Sequence, residues 1–303
     1  DTMITKAVIP AAGFGTRFLP ATKASPKEML PIIDTPVIQY VVEEAVASGI
    51  TDILMVIGKG KRAVEEHFDR SFDLEAELEA KGRFKELAAI RAISELANIH
   101  FVWQKRMLGL GDAIRCARYH IGGEPFAVLL GDTLMQSQNG VPATRQLIDM
   151  YERYGGGCVV ALEEVPQERV SRYGIISGEV IDERTYRIRD LVEKPAQDKA
   201  PSRLAIASRY ILTPDIFSYI DAAPAGKNGE IQITDALRLR TADGSAMYGC
   251  RVAALRHDIG NTFGFITTNI RYALAHDDLA EALGDFILAE AEAIRRARAG
   301  NPK

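Results

Sequence analysis

Residues 7–32, AVIPAAGFGTRFLPATKASPKEMLPI, join an apolar segment to a loop of small and cationic residues. The loop carries two glycines and three isolated cations: Gly13, Gly15, Arg17, Lys23 and Lys27. Glycine lets backbone amides approach a ligand closely, and cations in the same loop favour an anionic ligand. Taken singly, these residue types are common in surface loops, but their order after a strand predicts phosphate binding.

Short apolar runs alternate with helical patterns through the first half of the chain. Strands are predicted at 7–10, 53–57, 100–103 and 126–130. Helices are predicted at 35–49, with Thr35 as N-cap and Pro36 as first helical residue, and at about 74–97. The alternation predicts a Rossmann-like α/β fold, in which a mostly parallel mixed sheet carries helices on both faces. Such sheets bind ligands at the carboxyl ends of their strands.

The pattern changes after Gly157. Four strand-rich segments follow without long helices between them: 158–165, 173–182, 186–195 and 204–214. They predict a partly antiparallel extension that forms the other wall of a cleft. After Asp258 the chain is almost wholly helical, and its last helix places acidic residues early and arginines late, as the helix dipole favours. We assign that tail to packing or subunit contact.

Composition limits the class of protein. The 303 residues are 47% hydrophobic and 26% charged, which is typical of a soluble globular protein, and the net charge of −4 argues against nucleic-acid binding. Three scattered cysteines predict neither a disulfide framework nor a zinc site and fit a reducing cytoplasm. No apolar run is long enough for a membrane span, and we expect no signal peptide.

The motifs exclude several chemistries. No Ser-His-Asp set is evident, the five histidines do not cluster at metal-ligand spacing, and the first loop matches neither the P-loop nor the dinucleotide pattern. Nucleotidyl transfer remains, because it needs cations, Mg²⁺ and in-line geometry rather than a covalent nucleophile. Asp132 in FAVLLGD and Asp258 in LRHDIG follow strands and are candidate Mg²⁺ ligands, with turn formation or helix capping as alternatives.

A second glycine-rich loop, WQKRMLGLGDAI at 103–114, also follows a strand. Gly109 and Gly111 would let a flat base lie against the backbone, and the Gln104 amide can both donate to and accept from the edge of uracil or thymine. The alternative is a tight strand-to-helix turn. We expect Asp112 to be the N-cap of the following helix, with its charge directed away from the phosphates.

Residues 11–50 resemble the N-terminal signature of bacterial UTP–glucose-1-phosphate uridylyltransferases (UDP-glucose pyrophosphorylases), a branch of the nucleotidyltransferase family. The resemblance covers about Lys6 to Leu274 and continues in the family's order through LGLGDAI, LLGD, YGII, VEKP, RYILTP, GEIQITDAL and DIG. It implies that UTP and α-D-glucose 1-phosphate give UDP-glucose and pyrophosphate, by Mg²⁺-assisted in-line attack of the sugar phosphate on the α-phosphorus. A thymidylyltransferase, another sugar-1-phosphate nucleotidyltransferase and a non-catalytic regulatory paralogue are the alternatives.

The resemblance also implies residue roles. The residues expected to bind the nucleotide are Ala11, Ala12, Gly13, Gly15, Gln104 and Gly109. The catalytic cations are Arg17 and Lys27, supported by Lys23, and the Mg²⁺ ligands are Asp132 and Asp258. On the sugar side, the expected contacts are Gly174 and Glu193 to the hydroxyls and Lys194 to the phosphate.

Three positions depart from the family pattern. Asp112 stands where relatives usually carry histidine, Ser208 where they carry glycine, and Asn261–Thr262 where many carry a lysine. We predict a nucleotidyltransferase domain at 4–274, with a nucleotide-binding half at about 4–155 and a sugar-binding half at about 156–274. A helical extension at 275–303 follows, and we expect a homo-oligomer, either a dimer or a tetramer.

Overall fold

The computed structural model describes residues 3–226 and 229–299 of the chain. In chain order its strands are β1 (Lys6–Ala11), β2 (Pro31–Ile32), β3 (Thr35–Pro36), β4 (Asp52–Ile57), β5 (Asn98–Trp103), β6 (Phe126–Leu129), β7 (Thr133–Ser137), β8 (Cys158–Glu164), β9 (Gly174–Val180), β10 (Thr185–Glu193), β11 (Leu204–Leu212), β12 (Met247–Arg251) and β13 (Ala254–Asp258). Nine of these described strands form one mixed sheet in the order β5-β4-β1-β6-β11-β8-β12-β10-β9. The predicted α/β fold is confirmed.

The helices alternate with the strands as predicted. They are α1 (Val37–Ala47), α2 (Arg62–Phe68), α3 (Phe72–Ala80), α4 (Phe84–Ser94), α5 (Leu110–Arg115), α6 (Arg118–Ile121), α7 (Ala143–Arg153), α8 (Ile216–Ala222), α9 (Ile233–Ala242), α10 (Thr262–Leu274) and α11 (Ala280–Ala299). Short 3-10 turns lie in the loops, at Thr16–Phe18, Ala21–Lys23, Lys27–Met29, Gln167–Arg172 and Gln197–Lys199.

The strands β5, β4, β1 and β6 are parallel neighbours. Strand order therefore reverses at β1, which lies between β4 on one side and β6 on the other. In an open α/β sheet this reversal opens a crevice at the carboxyl ends of the two strands that flank it. The loops after β1 and β6, which carry the predicted phosphate loop and Asp132, meet at that crevice.

Continuous apolar runs in the central strands bury both faces of the sheet. On β1, Ala7 and Ile9 pack into the core beneath α1 and α7, whereas Val8 packs into the opposite core beneath α5, α8 and α9. Successive strand residues point to opposite faces, so a strand covered on both faces needs a continuous apolar run. Full burial of each such aliphatic side chain contributes about 1.5–3 kcal/mol.

The antiparallel half continues the same sheet. Strand β11 pairs antiparallel with β6, β8 and β9, and it is the junction between the two halves. Strands β7 and β13 form a separate antiparallel pair in which Asp258 lies opposite Thr133. These connections bring the two predicted aspartates to one side of the crevice.

Two local predictions are wrong. Thr35 and Pro36 form β3, which pairs with β2, and α1 begins at Val37 without a side-chain N-cap. The predicted helix at 74–97 is two helices, α3 and α4, because Gly82 between them has φ of +67°, outside the helical region. None of the helices within 3–226 and 229–299 is long and apolar enough to cross a membrane.

Candidate active site

A pocket lies at the crevice between the carboxyl ends of β1 and β6. The predicted residues that line it are Ala11, Ala12, Gly13, Lys27, Gln104, Gly109 and Asp132. A larger cavity lies elsewhere, beside Arg153, Asp182 and Arg184, and no predicted site residue lines it. We place the functional site in the first pocket, because its polar groups converge at the strand-order reversal where such sheets bind ligands.

Lys27 and Asp132 face each other across this pocket. The Lys27 Nζ donates to Asp132 Oδ2 at 2.5 Å, and both side chains are only partly exposed. Burial opposes both charges, but their mutual attraction outweighs it: the pKa of Asp132 is lowered, and Asp132 and Glu28 together raise the pKa of Lys27. Both groups are therefore charged around neutral pH. An ammonium has three donors, so Lys27 can bind a phosphate while it holds Asp132.

A buried ion pair beneath the phosphate loop was not predicted. Lys61, 5% exposed, donates from Nζ to Glu28 Oε2 at 2.6 Å and to the Gly13 carbonyl at 2.7 Å. This lysine follows β4 in the segment GKGKR, so it approaches from the same carboxyl edge as the loop it holds. Its position after a strand was an available signal, but its partner Glu28 is 33 residues away in sequence. The pair fixes the path of the loop at Gly13.

The glycine loop requires Gly15 because the backbone is left-handed at this position. Gly15 has φ of +66°, and a Cβ there would stand 3.0 Å from the Lys27 Cβ. Thr22 donates from its hydroxyl to the Gly15 carbonyl at 2.7 Å and closes the turn. Gly15 therefore shapes the loop and brings Lys27 close to it.

Arg17 and Lys23 lie outside the lining of the pocket. Both are exposed, and neither forms an ion pair with another described residue. The Arg17 guanidinium is near the other predicted groups, because its Nη1 lies 3.5 Å from where a Cβ on Gly260 would stand. Arg17 is thus placed beside Asp258, whereas Lys23 is on the outer rim of the loop.

Asp258 ends β13 and is exposed. Its register partner on β7 is Thr133, the residue after Asp132, so the two predicted metal ligands occupy neighbouring positions. Asp258 Oδ1 accepts from the Gly260 amide at 3.0 Å. Two neighbouring carboxylates are a donor set that Mg²⁺ accepts together with phosphate oxygens. Asn261, at the third departure from the family pattern, caps α10 by accepting from the Gly264 amide.

The prediction that Asp112 is an N-cap is wrong. Helix α5 begins at Leu110, so Asp112 is its third residue, and its carboxylate bonds other side chains rather than the helix amides. Asp112 Oδ2 accepts from Gln104 Nε2 at 2.8 Å, and Oδ1 accepts from the Arg115 guanidinium. Asp112 is 6% exposed. Its charge is therefore paired with Arg115. We call the second glycine-rich loop, residues 103–114, the base loop.

This arrangement fixes the orientation of the Gln104 amide. Its Nε2 donates to Asp112 and to the Gly109 carbonyl, at 3.2 Å, and both partners can only accept. The NH₂ group must therefore face them. Gln104 Oε1 accepts no hydrogen bond from any described residue and remains available to an N–H donor in the pocket that Gln104 lines.

The base loop is tied to the opposite wall of the cleft. Gly109 has φ of +91°, and a Cβ there would lie 2.8 Å from the Ile231 carbonyl oxygen. The Gly111 amide donates to the Ile231 carbonyl at 2.8 Å, and the Ile231 amide donates to the Leu108 carbonyl at 2.7 Å. The segment before α9 is therefore paired with the base loop.

The predicted sugar-side residues lie together next to the start of α9. Gly174 and Glu193 are register partners on β9 and β10, and Thr234 donates to Glu193 Oε2 at 2.7 Å. Lys194 Nζ is 3.6 Å from Glu193 Oε1, and its backbone has φ of +46°, which residues with side chains rarely adopt. Thr234 belongs to the quoted motif GEIQITDAL but was not singled out. These residues do not line the pocket between β1 and β6; they form a second polar cluster.

Ser208, where the family resemblance implies glycine, has a backbone conformation that favours glycine. Its φ is +60°, and it lies in the irregular part of β11, between Ile206 and Tyr210, where the register with β8 shifts. The Ser208 carbonyl accepts from the Leu130 amide at 3.2 Å, which joins β11 to the strand end before Asp132. The left-handed conformation costs a residue with a side chain roughly 1–2 kcal/mol.

Comparisons with known proteins show the family of the chain. A family profile described as nucleotidyl transferase matches residues 6–273. The chain is 51% identical over 285 residues to UTP–glucose-1-phosphate uridylyltransferase 2 of Staphylococcus saprophyticus, covering 94% of this chain and 97% of that protein. A UTP-bound UGPase from Acinetobacter baumannii is similar in structure, with a TM-score of 0.88, 37% identity and coverage of 94% of this chain and 99% of that one. A UDP-glucose pyrophosphorylase complexed with UDP-glucose has a TM-score of 0.81, 45% identity and coverage of 90% and 100%.

Proposed function

This chain belongs to the nucleotidyltransferase family, and we propose that it acts as a UTP–glucose-1-phosphate uridylyltransferase. It converts UTP and α-D-glucose 1-phosphate into UDP-glucose and pyrophosphate. The observation that carries the proposal is the pocket in which the free Oε1 of Gln104 and the Lys27–Asp132 pair line one cavity. Uridylyl transfer requires an acceptor for the N–H of the base, which Gln104 Oε1 supplies. It also requires charged groups for the phosphates, which the Lys27–Asp132 pair supplies.

The chain's cations have the main catalytic task. An oxygen of the sugar phosphate attacks the α-phosphorus of UTP in line, and pyrophosphate leaves with the electron pair of the broken P–O bond. Lys27, held at the pocket by Asp132, binds triphosphate oxygens and offsets the repulsion between the two anions. Arg17 extends from the glycine loop on the side of Asp258 and stabilises the charge that develops on pyrophosphate.

The family generally uses a divalent metal ion, and we propose that Mg²⁺ is held by Asp132 and Asp258. Their adjacency across β7 and β13 supports this assignment. When bound, the ion would neutralise phosphate charge and orient phosphate oxygens. Asp132 would then hold both the ion and Lys27.

Gln104 reads the base. In uracil N3–H is a donor, which matches the Gln104 Oε1 that is turned away from Asp112 and Gly109. In cytosine N3 is an acceptor and would oppose the same oxygen. The base and ribose lie against the backbone of small residues that line the pocket: Ala11, Ala12, Gly13 and Gly109. Asp112 is therefore a positioning residue for uracil recognition.

Glucose 1-phosphate binds at the second polar cluster. Glu193, oriented by Thr234, accepts from sugar hydroxyls, and Gly174 permits the close approach of these two side chains, since a Cβ there would stand 2.9 Å from the Thr234 hydroxyl. Lys194 meets the sugar phosphate. The pairing of Ile231 with the base loop joins this cluster to the nucleotide pocket.

The domain boundaries follow from the same assignment. Residues 4–274 form the catalytic domain, with a nucleotide half at about 4–155 and a sugar half at about 156–274, and 275–303 form the helical extension. Residues 227–228 and 300–303 of these ranges lie outside the described residues. A cytoplasmic location is supported by the three cysteines, which are all free thiols.

Helix α11 supports association of two copies of this chain. None of its residues is buried, and Phe286, Leu288 and Ile294 are each at least half exposed. Its acidic residues all precede its arginines, which lie in the last turns, so two copies in antiparallel contact would bring opposite charges together. Light scattering should show a dimer or a tetramer, and Leu288→Glu should lower the mass; a monomeric wild type would contradict this assignment.

A pyrophosphate-release assay tests the function. The enzyme is incubated with each of UTP, dTTP, CTP and ATP and with several sugar 1-phosphates in the presence of Mg²⁺. We expect the highest kcat/KM with UTP and glucose 1-phosphate. Because Gln104 does not exclude a methyl group at C5, dTTP is the next best nucleotide. A higher kcat/KM with dTTP would make the chain a thymidylyltransferase, and no release with any pair would make it non-catalytic.

A further inference from the structure

A cluster of three side chains lies outside the proposed active site. Asp52, His100 and His120 are far apart in sequence, yet their ligating atoms lie within 4.8 Å of one another. Asp52 Oδ1 is 2.8 Å from His120 Nε2 and 3.7 Å from His100 Nε2. The spacing of histidines in the sequence predicted no such group. The fold creates it, because β4 and β5 are neighbours and α6 packs on the same face.

We propose that Asp52, His100 and His120 bind a divalent transition-metal ion, with Zn²⁺ as the best match. Two imidazoles and one carboxylate form a donor set that suits Zn²⁺, and also Co²⁺, but not Mg²⁺ or Ca²⁺, which prefer oxygen. Tetrahedral Zn²⁺ places its nitrogen and oxygen ligands about 3.3 Å apart. The two observed distances to Asp52 lie on either side of that value, and all three ligating atoms lie within 4.8 Å of one another, so side-chain rotations that bring the two imidazoles together complete the site.

The cluster is accessible and its charges favour a cation. The exposed fractions of the Asp52, His100 and His120 side chains are 26%, 54% and 23%, so an ion can enter from solvent. A neighbouring cation, Lys6, is the register partner of Asp52; it donates to the His120 carbonyl at 3.2 Å and to Glu124 at 2.6 Å, so Glu124 offsets its charge. A neutral ring that gives Nε2 to the metal carries its proton on Nδ1.

The position of the cluster gives the ion a structural role. Asp52 begins β4, whereas the catalytic pocket lies beyond the other end of the strands, and six residues of strand span about 20 Å. Strand β5 is at the edge of the sheet and pairs only with β4 among the described strands. An ion held by β4, β5 and α6 would fasten that edge strand to the helix and leave the nucleotide pocket free.

Calorimetric titration with Zn²⁺ tests the site. The chelator-treated enzyme is titrated in excess Mg²⁺, which occupies the catalytic carboxylates, and Co²⁺ absorption reports imidazole coordination. The variants are His100→Ala and His120→Ala. The matched control is His276→Ala, because His276 is exposed on the helical tail and its side chain is bonded only to the Asp278 amide among the described residues.

We expect one Zn²⁺ per chain in the wild type and in the control, with a rise in Tm. The affinity should fall about tenfold or more in each cluster variant, since loss of an outer-shell group alone costs 10- to 100-fold. His100→Ala removes a half-exposed side chain and should still fold. Equal binding by wild type and His100→Ala, a loss of binding in His276→Ala, or no binding by the wild type would each overturn the proposal.

Discussion

Asp112→Asn is the substitution that tests base recognition most sharply. Asparagine has the shape of aspartate but only one accepting oxygen, whereas Asp112 accepts from both Gln104 and Arg115. The Arg115 guanidinium can only donate, and its charge makes it the stronger partner for that oxygen. The NH₂ group of the substituted side chain then faces Gln104 and favours the reverse orientation of the Gln104 amide, at the cost of its 3.2 Å bond to the Gly109 carbonyl, so that a donor instead of an acceptor faces the base.

The size of the effect follows from one contact. Uracil N3–H loses its acceptor and meets a donor, and an unsatisfied buried contact of this kind costs about 1–3 kcal/mol. The ratio of kcat/KM for UTP to that for CTP should therefore fall about 5- to 150-fold. This ratio does not depend on the active fraction of a preparation, because both values come from the same sample.

The control is Asp221→Asn. Asp221 pairs with Arg118 at 2.5 Å and lies 3.9 Å from Arg115, but it forms no bond with Gln104. Steady-state rates with UTP and CTP should show an unchanged ratio in this variant. If Asp112→Asn keeps the wild-type ratio as well, Asp112 does not orient Gln104 toward the base and the reasoning fails.

Three further predictions follow from the same contacts. Ser208→Gly should stabilise the fold by about 1 kcal/mol, which is measurable as a rise of about 2 °C in Tm, whereas Ser208→Ala keeps the left-handed strain and should give no rise. Arg17→Ala should lower kcat far more than it raises the KM for glucose 1-phosphate, by about 2–4 kcal/mol in the transition state; a kcat near that of the wild type would remove Arg17 from the catalytic groups. Asp132→Asn should abolish most Mg²⁺-dependent activity and leave the circular dichroism unchanged. This variant should also have a lower free energy of unfolding than the wild type at intermediate pH, where the wild-type ion pair is charged. The pKa of Asp132 is lowered from 3.8 and that of Lys27 is raised from 10.5, so both groups stay charged across that range. The difference in the free energy of unfolding should vanish as the pH falls through the pKa of Asp132 or rises through the pKa of Lys27. A difference that changes between pH 5 and 9 would contradict the ion pair.

The parallel half of the fold was predictable because its inner strands, β1, β4 and β6, are buried on both faces. Their apolar runs carry that burial in the sequence itself, and the βαβ alternation then places the loops after the parallel strands at one edge. The predicted helix start at Thr35 was wrong because Thr35 pairs with Ile32 in a hairpin. Local sequence propensity does not indicate that pairing.

The site was predictable where residues follow strands and unpredictable where distant residues meet. Asp132 and the glycine loop are at strand ends, so their convergence follows from topology. The Glu28–Lys61 pair joins two segments through a buried contact that neither segment signals. Asp112 was misassigned because it looks like a cap in sequence, whereas its carboxylate satisfies the amide of Gln104 and the charge of Arg115. Ser208 could be explained only once its positive φ was known.

The most direct measurement of the central claim follows oxygen through the reaction. Glucose 1-phosphate labelled with ¹⁸O in its phosphate is incubated with UTP, Mg²⁺ and the enzyme, and the products are analysed by ³¹P NMR. If a sugar-phosphate oxygen attacks the α-phosphorus of UTP, all of the label appears in UDP-glucose, including the bridging position, and pyrophosphate is unlabelled. Label in pyrophosphate, or the absence of UDP-glucose, would contradict uridylyl transfer at this pocket.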